Sequence, residues 1–168
     1  MDQTTQELDP QRQLIHVIRD TMHETALAFF ATDIGIEEGP AMIQREGQPF
    51  VTPQADVTAM VAFRGSMKGG VHISAPMHAA VGLASAFWGE PLESFNDTAR
   101  DALGELTNII AGALKSRIND DINLTPPLVL QGAERDGLQP HSHASTRCYF
   151  MTTNGPLFVE VFQDQQEA

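Results

Sequence analysis

Core-forming positions recur with two different periods along this chain, and the change of period marks out its elements. Leu14, Ile18, Met22, Thr25, Ala26 and Phe29 fall three or four apart, the spacing of one buried helix stripe. Asp9 followed by Pro10 offers an N-cap acceptor and a proline at the first helical position, so this helix is predicted to start there and to end near Gly35. From 57 to 64 the apolar positions alternate instead. Gly65 and Gly69-Gly70 bracket a turn, and Val71 and Ile73 resume the alternation, which predicts a β-hairpin. Ser74 and Pro76 then open a small-residue helix that runs to Trp88 and stops at Gly89, a glycine C-cap. Ser94 with Asp97 three residues on has the form of a capping box with Asp in place of Glu, and a long helix is predicted to follow to about Asn119. Beyond Pro126-Pro127, residues 128–130, 146–152 and 157–162 read as strands, the last two joined through the hairpin pair Asn154-Gly155. Residues 36–55 hold Gly39, Pro40, Gly47, Pro49 and Pro53 and are predicted to form short edge strands or loops.

Three helices and at least five strands, with the strands in hairpins, predict an α+β fold in which a largely antiparallel sheet packs with about three helices. The polar stretches 1–8 and 163–168 read as tails flanking a single domain over 9–162. Composition narrows the partners. Ten Lys plus Arg against 22 Asp plus Glu leave a net charge of -12, the wrong sign for a phosphate backbone or an anionic lipid surface. The longest small or apolar run, 79–88, is about half of what a bilayer crossing needs, and the polar start of the chain has no signal-peptide pattern, so a cytoplasmic protein is expected. With Cys148 as the only cysteine, an internal disulfide and a zinc site of paired thiolates are excluded.

The predicted helix over 94–119 carries the most information. At about 100° per residue, Ala99, Ala102, Leu103, Leu106, Ile110 and Ala113 cover one arc, the predicted core face. Asp97, Asp101, Glu105, Asn108, Gly112, Lys115 and Asn119 share the opposite side, so Glu105 and Asn108 are expected to project together into solvent. Gly104 and Gly112 each cost a helix roughly 1 kcal/mol relative to alanine, which suits a backbone that something approaches closely. On spacing alone the stripe also fits a plain solvated face.

Other side chains offer less. His141 and His143, beside Pro140, read as a solvated loop rather than a metal-ligand pair, and His16 and His23 as bordering the core. Cys148 alternates with apolar neighbours and reads as a buried, inert thiol. Trp88 is expected to staple a helix end, and Arg64, Lys68 and Arg117 form no evident patch.

Asp101, Glu105, Asn108 and Gly112 together make the pattern D-x-x-x-E-x-x-N-x-x-x-G. This pattern, set on the polar face of a helix between a β-hairpin and paired strands, resembles the signature of the CheC, CheX and FliY family of chemotaxis phosphatases. The resemblance extends over most of 57–162. Family members with two sites carry a second E-x-x-N near the N-terminus; here Glu24 is followed three residues later by Leu27, so the chain resembles the single-site CheX branch. The family's proline some two dozen residues beyond the Asn is replaced by Gln131, with Pro126 and Pro127 earlier, which bears on partner choice more than on chemistry.

The resemblance implies a CheX/CheC-like fold and hydrolysis of the aspartyl phosphate on a CheY-like response-regulator receiver in two-component signalling. It assigns Asn108 to orienting the attacking water, much as a glutamine does in GTPases, and Glu105 to anchoring the receiver through its lysine. Asp101, Gly112 and Lys115 would line the docking surface. The chain itself would bind no cofactor, Mg²⁺ being carried by the receiver, and a homodimer is expected by analogy. The alternative is a non-catalytic module that docks on a receiver or a flagellar component through the same helix.

Overall fold

The computed structural model describes residues 9–29, 35–45, 47–48, 54–118, 121–138 and 144–163. Its elements follow in the order α1 (Pro10–Phe29), β1 (Ile36–Gln44), β2 (Val57–Gly65), β3 (Gly69–Ala75), α2 (Met77–Trp88), α3 (Asp97–Ile118), β4 (Ile122–Leu124), β5 (Leu128–Gln131), a short 3₁₀ helix (Gly132–Gly137), β6 (Ala144–Thr152) and β7 (Gly155–Gln163). The strands make one antiparallel sheet in the order β1-β6-β7-β3-β2-β4, with β5 also paired to β2. This is the predicted α+β architecture. Both predicted hairpins are present: β2 pairs with β3 from Val57–Ala75 to Phe63–Gly69, and β6 pairs with β7 around the left-handed Gly155 (φ 122°).

Alternate residues of each central strand enter one core with the inner faces of all three helices. Val57, Ala59, Val61, Val71, Val159 and Val161 meet Ile18 from α1, Ala79 and Ala80 from α2, and Ile110 and Leu114 from α3. The residues between them face the other side of the sheet. There Thr58 and Ser74 hydroxyls hydrogen-bond at 2.9 Å, and Arg147 Nε donates to Glu160 Oε2 at 2.6 Å with both side chains buried. Burial pushes the Glu160 carboxyl up from the ordinary carboxylate range, against the pull of Arg147.

Several boundaries differ from the sequence reading. Asp9 caps α1 as predicted, its Oδ1 accepting from Gln11 N at 3.2 Å, and the helix is described from Pro10 to Phe29; the predicted continuation toward Gly35 runs over 30–34, which lie outside the described residues. Ser74 lies inside β3, and the α2 N-terminus is met instead by Asp56, whose Oδ2 accepts from Met77 N at 2.8 Å. Asn96, not Ser94, caps α3: its Oδ1 accepts from Ala99 N at 2.9 Å. Residues 36–44 form one nine-residue strand, since an irregularity between Glu38 and Ala41 takes up Gly39 and Pro40. The three-residue β4 was too short to leave a pattern, and β7 continues to Gln163, one residue into the predicted tail, where it pairs with Gly69 and Ala144.

Side-chain placements also shift. His16 is exposed rather than at the core border, and Trp88, the last residue of α2, is 55% exposed because the helix runs past its packed Ala84. Gly89 does end α2 in the left-handed conformation, its N–H donating to Ser85 O at 2.9 Å. The Phe29 side chain, Asn119, His141 and His143 lie outside the described residues. Among the described residues, no helix is long and apolar enough to cross a membrane.

Candidate functional site

Helix α3 is held on three sides and open on the fourth. Leu103, Leu106, Ile110, Ala111 and Leu114 are buried in the main core, while Ala99 and Ala102 pack with Ala84 of α2. Thr107 is also buried, its hydroxyl donating to Leu103 O at 2.8 Å within the helix. The buried arc is therefore wider than the predicted one and includes Thr107, Ala111 and Leu114, whereas Ala113 is only half-buried. At the C-terminal end, Arg117 joins α3 to α1 by pairing with Glu24 and donating to Thr21 Oγ1. Glu24, which Leu27 rather than Asn follows three residues later, is one half of that clamp.

The open side is the predicted stripe. Asp97, Asp101, Glu105 and Asn108 are exposed, and Gly112 and Lys115 are half-buried. Neither the Glu105 nor the Asn108 side chain has a hydrogen-bond or ion-pair partner among the described residues, so a carboxylate and an amide three residues apart face solvent together. A methyl group at Gly112 would meet no atom within 4 Å, which makes this position a flat opening one turn beyond Asn108. Gly104 is different: it is buried, and a Cβ there would lie 3.5 Å from Val129 Cγ2 and 3.6 Å from Pro127 Cγ. The close approach expected at Gly104 is made by the chain's own β5 segment. Only Gly112 leaves room for another molecule.

Arg100 secures that segment, donating from Nη1 to Val129 O at 2.6 Å and from Nη2 to Gln131 and Glu134 at 3.3 Å each. The chemistry available on the stripe is that of an exposed amide and an unpaired carboxylate on a helix buried along its other face. No group of three or more His, Cys, Asp or Glu side chains is arranged to hold a metal ion among the described residues. Cys148 is fully buried, and its thiol is pushed up to about 11 by burial, which makes it a poor nucleophile.

The sequence from 57 to 151, more than half the chain and including all of α3, matches the model of the chemotaxis phosphatase CheX family. The chain belongs to the CheX family. Solved structures with the same fold include one from the CheX-CheY-BeF3-Mg²⁺ complex of Borrelia burgdorferi (TM-score 0.73, 19% identity, covering 90% of this chain and 97% of that one). CheX from Vibrio vulnificus aligns with TM-score 0.71 at 15% identity over 90% and 99% of the two chains. FliY from Thermotoga maritima aligns with TM-score 0.63 at 16% identity over 93% and 92%. Among curated proteins, no sequence matches this one. At these identities the structural likenesses establish a shared CheX/CheC fold, and the family match adds that the stripe of α3 lies within the segment CheX proteins have in common.

Proposed function

We propose that this protein hydrolyses the aspartyl phosphate of a CheY-like receiver domain, with Asn108 orienting the attacking water and Glu105 anchoring the receiver. The observation that carries this reading is the pairing of Glu105 and Asn108, exposed and unpartnered among the described residues, on a helix locked into the core of a CheX-family chain. The complex of CheX with CheY, BeF3 and Mg²⁺ that shares this fold supports a receiver as partner.

An aspartyl phosphate is an acyl phosphate, already disposed to hydrolyse, and the receiver's own Mg²⁺ and lysine neutralise its phosphoryl oxygens. What this chain adds is position. The Asn108 amide accepts a hydrogen bond from a water in line with the phosphorus; the water's oxygen bonds to phosphorus as the bond to the aspartyl oxygen breaks, giving inorganic phosphate and a free carboxylate. A neutral amide does this without adding negative charge to a transition state that already carries it. Glu105 pairs with the receiver lysine and sets the register of docking, while Asp101, Gly112 and Lys115 line the contact. A homodimer acting in the cytoplasm is part of the same proposal.

The test is phosphate release from a phosphorylated receiver with Mg²⁺ present. Faster release on adding this protein supports a phosphatase. Complex formation without faster release would replace that reading by a docking module.

A further inference from the structure

The stripe of α3 has a wall on one side, and that wall is built from residues that the chemistry above does not use. Pro127 sits over Gly104, 3.6 Å from where a Cβ would stand, and Gly104 is stacked one turn from both Asp101 and Asn108. Pro126 and Pro127 are exposed, while Val129, two residues on, is buried beneath α3. The segment is fixed at both ends: Thr125 exchanges hydrogen bonds with Ala62, N to O at 3.0 Å and N–H to Oγ1 at 2.9 Å, and Arg100 binds Val129 O. Two consecutive prolines then leave the exposed stretch little freedom to lose on binding.

We propose that Pro127, stiffened by Pro126, is a receiver-docking contact, an apolar lip that packs on the docked receiver beside the Asn108 side of the site. This rests on the receiver reading above. Charge favours it. The chain carries -12, and the stripe presents Asp97, Asp101 and Glu105 to a partner whose phosphorylated pocket is itself acidic, so long-range attraction cannot supply the affinity. Residues 122–133 hold no charged side chain. They place an uncharged, preformed edge at the rim of the site, where an apolar contact gains from exclusion of water without electrostatic cost.

The experiment titrates wild type, Pro127→Asp and Pro127→Ala against a panel of CheY-like receivers loaded with BeF3⁻ and Mg²⁺, with phosphate release and thermal melts alongside. Met151→Asp, an exposed position on β6, is the control for added charge. Pro127→Asp is expected to weaken binding by about tenfold or more relative to Met151→Asp, raising KM with kcat unchanged. Equal affinities for those two variants would overturn the lip. If Pro127→Asp fails to fold, Pro127→Ala decides by the same titration: weaker binding supports the lip and unchanged binding overturns it. Wild type that binds without releasing phosphate sinks the phosphatase reading and leaves the lip standing on the binding ratio. Wild type that binds no receiver removes both.

Discussion

In the proposed mechanism Asn108 and Glu105 divide one task between two kinds of side chain, and the division has separable consequences. Glu105→Ala should weaken complex formation with a BeF3⁻-loaded receiver, because an ion pair made on docking is lost; unchanged affinity in a titration would count against the anchor role. Cys148 stands at the opposite extreme. Its thiol is buried and pushed up to about 11 from the ordinary 9.0, so at pH 8 the folded protein should resist alkylation that proceeds readily in denaturant. The same shift sets a sign for stability. The unfolded thiol ionises first as pH rises, so the stability tied to Cys148 is complete below 9 and is lost progressively toward about 11. Denaturant melts across that range should show a steeper loss of stability in the wild type than in Cys148→Ala.

At the scale of the elements, α3 combines a face made for packing with a face made for access, and its glycines separate the two. Gly112→Ala meets open space and should raise thermal stability by up to about 1 kcal/mol through helix propensity. Gly112→Gln should fold as well as wild type yet lose receiver turnover, because a long side chain would stand beside Asn108; full activity in this variant would remove the access role. Much of α3 was legible in advance because helical period and the D-x-x-x-E-x-x-N spacing are local properties, and so were the hairpins marked by Gly69-Gly70 and Asn154-Gly155. What escaped depends on residues far apart in the chain. Asp56 at the start of α2, Arg117 clamped to Glu24, and Pro127 seated on Gly104 are contacts that no window of sequence contains. Gly39 and Pro40 misled for a related reason: a neighbouring strand, β6, holds them in an irregular ladder that propensity alone would break.

For the molecule as a whole, charge opposes the encounter that the proposed function requires. A chain of net charge -12 meeting an acidic phosphorylated pocket should associate slowly at low salt and faster as ionic strength approaches physiological values, with Lys115 relieving the repulsion locally. Stopped-flow association rates that fall with added salt would show that attraction, not repulsion, governs docking. In the proposed complex, the exposed Asn108 amide, carried on a helix buried along its other face, orients the attacking water. The most direct test of that claim is single-turnover dephosphorylation of a saturating receiver–Mg²⁺ complex by wild type and by Asn108→Ala, with binding to the BeF3⁻-loaded receiver measured in parallel. Loss of about 10² to 10³ in the rate with affinity retained is the predicted result. A variant that turns over its receiver at the wild-type rate would contradict the account.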